Sequence, residues 1–560
     1  MIRQQSADEQ LFYTHQEIAR PASGNFYMRL DGAVGDWRKL ADPFRRAFSP
    51  GMGRPTDPVV YLKIFLVGYL ENITYDTDLA ERISDSIAIR RFLGYSLSES
   101  TPDHSSISRN RTLIAEHCRI EDVLTQVVAL CEKRGLVDGE LSAVDASLIP
   151  ANASLSSLRS VKTGKGVREH LREVEEKNKA AESEEPAKQK RPTVSNEEFR
   201  SATDPDARIG KKPGHPRDMC YKATHVTDSK SGVILSAGVS HADKGEVEAA
   251  KPMVEEAKEN LAQCGISLVK LAADAGYGSA DFHAFVEGLD AVPITNWRAD
   301  STKKPEGFKK ESFVYYKEAD CYICPEGCLL RYDSFCKSTG LLLYRSEASE
   351  CACCANREKC IEGKGNVRTV SRHPREESRE RNIARCHTQE GREILKRRKH
   401  IVEPPFGHMK TYGGLGLISC RGKAKANVKV VMAAVAYNLV KLVAAKAHAA
   451  GFTASDNRLV RAVQEGLRAL LRLLAALEPN WSAATGNLSD TGHCRPKPGR
   501  VCPFAIDSKA SSNCRQRSLL QPALHRNVAP SFSRLQRDPE ASGRWWGHPP
   551  PAGQLASQSR

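Results

Sequence analysis

At 560 residues the chain is too long for one core, since a single core rarely grows past roughly 250–300 residues, and several domains are expected. A formal charge of +15, from 83 Lys+Arg against 68 Asp+Glu, favours a polyanionic partner. Nucleic acid comes first, because phosphate neutralisation dominates such binding. No apolar run approaches the ~20 residues of a membrane helix and the N-terminus lacks a hydrophobic signal core, so no membrane association and a cytoplasmic chain are expected.

Residues 1–20 are polar and read as a loose N-terminus. Residues 21–135 read as an all-helical DNA-binding domain. Asp57 before Pro58 is an N-cap with proline at the first helical position, opening the apolar run from Val59 to Leu70. Asp78 with Glu81 predicts the capped start of the next helix, and a short one through Ile87, Ile89 and Phe92 stops at Gly94. Thr101-Pro102 then opens Asp103-His104-Ser105-Ser106-Ile107-Ser108-Arg109-Asn110-Arg111. Its hydroxyls, amide and arginines suit a helix lying against DNA, with His104, Arg109 and Arg111 as contacts; a solvated helix in a small bundle fits the same residues.

Residues 136–450 read as an α/β domain (mixed α+β) with two insertions. Ser142 to Ile149 predicts a buried strand carrying Asp145. From 151 to 215 Glu, Lys, Ser and Pro dominate, and so little apolar content predicts a charged linker, partly helical at most. Tyr221 to Ala237 reads as a β-hairpin turning at Gly232, followed by a helix over 245–263. The apolar run Leu268 to Ala273 then predicts a strand ending at Asp274, with Gly276-Tyr277-Gly278 as a tight exit. Strand, hairpin, helix and strand together describe a mixed sheet flanked by helices.

Seventeen cysteines are unevenly spread, eight of them between Cys321 and Cys360. In a reducing compartment such clustering points to metal, and the C-x-x-C spacing suits a tetrahedral zinc site within a Cys-rich insert over 300–370. Several sets of four can be drawn; Cys324, Cys351, Cys354 and Cys360 are favoured. An apolar helix from Val428 to about Ala447 is expected to pack on the sheet. A Leu/Ala/Arg helix is read over 451–480, and 481–560 reads as a disordered tail or the read-through of a shifted frame.

One carboxylate, Glu403, sits in the basic stretch Lys396-Arg397-Arg398-Lys399-His400-Ile401-Val402-Glu403-Pro404-Pro405-Phe406-Gly407-His408-Met409-Lys410. An acid among so many cations suits a site that holds a divalent ion while cradling phosphate. In-line phosphodiester chemistry needs charge neutralised at the attacking and leaving oxygens, which two ions roughly 3.5–4 Å apart achieve. Asp145, Asp274 and Glu403 suffice as protein ligands, because magnesium keeps several waters. Arg398, Lys399, Lys410 and Arg421 are the expected phosphate contacts. Pro404 disfavours helical backbone at the residue before it, so Glu403 is expected at a helix break or start.

Read together, these segments resemble the DDE insertion-sequence transposases of bacteria, in the subgroup with a helical N-terminal domain and a Cys-rich insert in the catalytic domain. The likeness runs from about Phe26 to Leu442. It rests on Pro102-Asp103-His104-Ser105-Ser106-Ile107-Ser108-Arg109, Val144-Asp145-Ala146-Ser147, Ala273-Asp274-Ala275-Gly276-Tyr277-Gly278, Cys324-Pro325-Glu326-Gly327, Cys351-x-x-Cys354, Ile401-Val402-Glu403-Pro404-x-Phe406-Gly407-x-x-Lys410 and Arg421-Gly422. The resemblance implies an RNase H-like catalytic domain with Asp145, Asp274 and Glu403 as the triad holding Mg2+ or Mn2+. It also implies transposition at terminal inverted repeats, double-stranded DNA as partner, a homodimer on DNA and a nucleoid-associated protein. Related enzymes often carry tyrosine seven and arginine four residues before the glutamate; Lys396 and Lys399 stand there. Two other readings stay open: a DNA-binding protein without chemistry, and a metal-dependent nuclease that cuts without joining.

Overall fold

The computed structural model describes residues 25–48, 57–180, 194–211, 214, 216–296, 307–361 and 365–449. The loose N-terminus expected at 1–20, the helix at 451–480 and the tail at 481–560 lie outside the described residues.

The N-terminal part is helical: α1 (Phe26–Val34), α2 (Trp37–Leu40), α3 (Pro58–Leu70), α4 (Asp76–Asp85), α5 (Ile87–Leu93), α6 (His104–His117) and α7 (Glu121–Glu132). Asp57 Oδ1 accepts from the Val59 amide at 2.8 Å and Pro58 needs no partner, so α3 starts where its cap dictates. Asp103 caps α6 in the same way, accepting from the Ser106 amide at 2.7 Å. Asp78 lies inside the first turn of α4 rather than capping it, where its charge still faces the positive end of the helix.

The second part is built on a mixed sheet. Its strands are β1 (Ser142–Pro150), β4 (Arg208–Gly210), β5 (Asp218–Asp228), β6 (Ile234–His241), β7 (Lys270–Ala273) and β8 (Val292–Thr295); β2 (Leu158–Ser160) and β3 (Phe199–Ser201) pair separately. Along the sheet the order is β6, β5, β1, β7, β8, with β4 also beside β5. β5 is antiparallel to β1 and β6, whereas β7 and β8 run parallel to β1. Three strands meandering back and forth, then two parallel ones added beside the first, is RNase H-like topology. The stretch that reads as a linker is more ordered than its composition implies. It carries β2, β3, β4 and helix α8 (Val167–Ala180), and Asp204 is fully buried under the Tyr221 hydroxyl, which donates to it at 2.8 Å. Segments poor in apolar residues are held here by hydrogen bonds borrowed from the sheet.

Helices cover both faces. α9 (Glu246–Ala262) shares the larger core with Val144 and Leu271 through Ala250, Val254, Ala257 and Leu261. The other face of β1, β7 and β8, carrying Leu141, Ala143, Ala272 and Ile294, is closed by Cys386 of α13 (Glu376–His387) and by Ile394, Ile401 and Val402 of α14 (Gln389–Tyr412). α10 (Ala280–Gly288) connects β7 to β8. Between β8 and α13 lies the Cys-rich insert, an antiparallel meander of β9 (Val314–Tyr316), β10 (Cys321–Ile323), β11 (Leu329–Cys336), β12 (Leu341–Ser346) and β13 (Thr369–Arg372), with short helices α11 (Ala348–Ala352) and α12 (Arg357–Cys360).

The last described helix, α15 (Lys423–Ala449), packs on β6, α7, α6, α3 and α1, joining both parts in one core. It corrects the expectation that no segment is apolar enough to span a membrane. Residues Lys423–Ala445 pass by length and hydropathy, but 78% of the apolar window is buried inside the fold, which marks a core helix. Its asparagines do specific work at the sheet edge. Asn438 bonds both the amide and the carbonyl of Ile234 at 2.8 Å, and Asn427 Oδ1 accepts from the Val239 amide at 3.0 Å. An edge strand offers unpaired backbone groups, and these side chains satisfy them on β6.

Candidate active site

β1 and β7 pair in parallel with Ser142 opposite Leu271 and Ala143 opposite Ala272. Carried two residues further, that register sets Asp145, inside β1, beside Asp274, which directly follows the last residue of β7. The expectation that both acids end their strands is corrected for Asp145, because β1 continues to Pro150 against β5. Side chains alternate along a strand, so Asp145 lies on the face of Ala143 and Asp274 on that of Ala272, which is the face α14 covers. Both carboxylates are half-buried, and each takes a local backbone donor: the Ala146 amide at 2.9 Å and the Gly276 amide at 2.8 Å.

Glu403 lies on α14 next to Val402, which is fully buried in the cluster containing Ala143 and Ala272. One turn on, the Phe406 ring sits 3.9 Å from the imidazole of His225, the residue opposite Asp145 on β5. Two turns on, Lys410 Nζ donates to Ser147 Oγ at 2.6 Å and to the Leu148 carbonyl at 3.0 Å, tying the helix to β1. The Glu403 carboxylate itself is exposed and makes no ion pair among the described residues. The proline expectation is corrected: α14 runs unbroken through Pro404 and Pro405, and Glu403 is mid-helix. The two missing amide donors are tolerated because Ile401, Val402, Pro405, Phe406 and Met409 are buried on either side, and that packing outweighs the local cost.

A fourth acid joins the group. Glu246 opens α9, and a Cβ placed on Gly276 would meet Glu246 Oε2 at 1.9 Å and Asp274 Oδ1 at 3.0 Å. Carboxylate oxygens from two elements thus lie over the Gly276 backbone, where a side chain would push the Glu246 carboxylate aside. Burial pushes the Asp145 carboxyl up to about 6; the Ala146 amide and Arg398 pull it down, and Asp274 and Glu246 add to the rise. Two buried polar atoms here lack partners among the described residues, the Tyr277 hydroxyl and His225 Nε2. Burial, then Asp145, Glu246 and Asp274, raise the Tyr277 hydroxyl, with Arg398 opposing. Burial holds His225 down at about 3, so its ring stays neutral.

Mutually repelling carboxylates with unsatisfied polar atoms behind them are a donor set suited to a hard divalent cation. Among the described residues no three potential ligands close on one point as they stand. Neither Glu246 nor the buried His225 and Tyr277 stands out in the sequence. Lys244-Gly245-Glu246 reads as an ordinary helix start, and the only hint is the glycine flanking Tyr277.

The expected DNA contacts divide. His104, Arg109, Lys399 and Arg421 are exposed and Arg398 is half-buried beside Asp145. Arg111 is buried at 4% exposure, paired with Asp76, its guanidinium 4.6 Å from the Phe65 ring centre. That arginine bonds α6 to α4 and α3 and does not face solvent.

Strand order gives the catalytic part an RNase H-like fold. More narrowly, the chain belongs to the family described as Transposase DDE domain, which matches residues 140–439, and residues 15–113 match the Transposase domain (DUF772). It is a DNA transposase, an enzyme that cleaves DNA and transfers strands, and such domains use divalent metal ions. Among solved structures it is similar to a piggyBac transposase synaptic complex with hairpin DNA, at 11% identity over 77% of each chain and a TM-score of 0.31. A Mos1 transposase paired-end complex with the left transposon end is similar at 8% identity, covering 44% of this chain and 61% of that one, with a TM-score of 0.14. No curated protein matches the sequence significantly.

Proposed function

We propose that this transposase cleaves and joins DNA at the terminal inverted repeats of an insertion sequence, using Asp145, Asp274 and Glu403 to hold Mg2+, with Glu246 as an auxiliary carboxylate. The observation that carries the assignment is the β1–β7 register, which sets two aspartates side by side on the face that α14 closes, with Glu403 one residue from the contact. When bound, the divalent ions supply charge neutralisation at the attacking and leaving oxygens of the phosphodiester. Asp145, on a central strand, is the most firmly held of the residues that would bind them. Arg398 and Lys399 hold phosphate beside it, while Lys410 fixes the helix so that Glu403 keeps its height above the strands. His104, Arg109 and Arg421 supply further phosphate contacts at a distance from the chemistry. The working unit is a homodimer pairing two ends, in the cytoplasm at the nucleoid.

The test mixes purified protein with a labelled inverted-repeat end and Mg2+. Cleavage followed by joining is expected. Asp274→Asn is expected to bind the end at unchanged affinity and to lose cleavage; cleavage at the wild-type rate sinks the triad.

A further inference from the structure

We propose that the insert is a structural zinc module in which Cys324, Cys351, Cys354 and Cys360 coordinate one Zn2+. Three separate segments bring these cysteines together: the β10–β11 turn, the end of α11 with the turn after it, and the end of α12. With Cys328 they line one small cavity, beside Arg368 and Ser346. All are free thiols. The other cysteines of the run are elsewhere: Cys353 is exposed, its sulfur bonding back to the Ser349 and Glu350 carbonyls, and Cys336 sits beside Ser338 at the far end of β11.

The groups around the cavity are those that sulfur ligands need. The Cys328 amide donates to Cys324 Sγ at 3.2 Å, across a turn that Gly327 permits with its φ of 83°. Ser346 Oγ is 3.0 Å from Cys351 Sγ; it accepts from the Arg368 amide at 2.9 Å and is 3.5 Å from the Arg368 carbonyl, so its proton is shared between that carbonyl and the sulfur. Arg368 donates to the Cys360 carbonyl at 2.7 Å and brings a cation next to four potential thiolates. Donors of this kind lower the cost of thiolate and orient it toward metal. Cys328 is the fifth sulfur and serves through its amide. Its amide already bonds Cys324 Sγ, and it is placed outside the ligand set on that ground, while Cys360 lines the same cavity from a third segment.

A second, independent argument is the thinness of the core. Among the described residues the insert's own cluster buries Phe313, Tyr322, Leu330, Tyr344 and Val370, with Phe308, Tyr315 and Leu342 packed partly buried against it, while Val314 is 65% exposed and Tyr316, Tyr332 and Phe335 about half exposed on the same sheet. A core that small does not hold a five-stranded meander without a cross-link, and reduced cysteines leave a metal as the means. Among the described residues no three potential ligands converge on one point, so coordination requires the sulfurs to move closer together.

The experiment uses the full chain purified without added metal. Elemental analysis is expected to give about one zinc per chain, released on titrating about four thiols with a mercurial. Cys353→Ser and Cys328→Ser are expected to keep the zinc, and the double variant C351S/C354S to lose it. Zinc-free wild-type protein, iron in zinc's place, or a double variant with undiminished zinc each overturns the proposal. If the double variant does not fold, the wild-type metal content and thiol titration still decide. None of these readouts uses DNA, so the result stands apart from the assignment of the acids.

Discussion

The carboxylate cluster and the cysteine cluster are both built to gather like-charged ligands, but they rest on very different supports. Asp145 lies within β1 and Asp274 just past the end of β7, on strands backed on one side by the main core and on the other by α14. The cysteines stand on turns and helix ends around five buried side chains. The first arrangement suits an ion that must be exchanged and shared with substrate. The second suits an ion that replaces missing core. A catalytic site can spend stability on crowding charges only where the scaffold beneath it has some to spare.

Replacing acids and replacing thiols should therefore fail in opposite ways. The largest effect is expected at the aspartates: Asp145→Asn or Asp274→Asn should lower strand cleavage by at least about 10³-fold with the melting temperature unchanged or raised, because removing one of several repelling charges relieves the fold. Activity and calorimetry on the same samples check this. Removing the metal from the insert should instead lower stability by about 2–5 kcal/mol locally, seen as hydrogen exchange confined to 307–372, by analogy with the loss of other cross-links.

Next in size, Glu246→Gln should slow cleavage about 10- to 100-fold, a loss partly restored by raising Mg2+. Gly276→Ala should reproduce that loss, since its Cβ would displace the Glu246 carboxylate. A normal rate in Gly276→Ala would remove Glu246 from the site. The smallest effect concerns Glu256, away from both clusters. Burial first, then Glu121, push its carboxyl up to about 7 against the pull of Arg119, and Oε1 has no hydrogen-bond partner among the described residues. A carboxyl raised in the folded state costs nothing while both states are protonated, below about 4.5, and its cost grows as pH rises toward 7. Glu256→Gln should thus stabilise by up to about 3 kcal/mol at pH 8 and hardly at all at pH 4.5, read from urea unfolding at the two values.

Much of this was legible in the residues. Asp145 and Asp274 each end a short apolar run, and the run is what makes a strand, although β1 continues past Asp145 to Pro150 while β7 stops just before Asp274. Their adjacency was not legible, because it depends on the β1–β7 register, set by α9 and its loops 100 residues downstream of β1. Glu403 could be picked out by its basic surroundings, yet Pro404 pointed to a broken helix, and only tertiary packing explains why α14 continues. Arg111 shows the converse error: composition favoured a DNA contact, while the aromatic ring and the aspartate that bury it come from other helices. Glu246 was invisible because its meaning lies in a glycine thirty positions later.

The two asparagines of α15 carry one more consequence. They come from the end of the described chain and quiet a strand laid down some two hundred residues earlier. A copy of this gene cut short before Asn427 would still spell every acid of the cluster, and would leave β6 as a bare template for any neighbouring strand. Such a product is expected to precipitate with its siblings rather than move DNA, so that damage late in the reading frame silences the element through solubility.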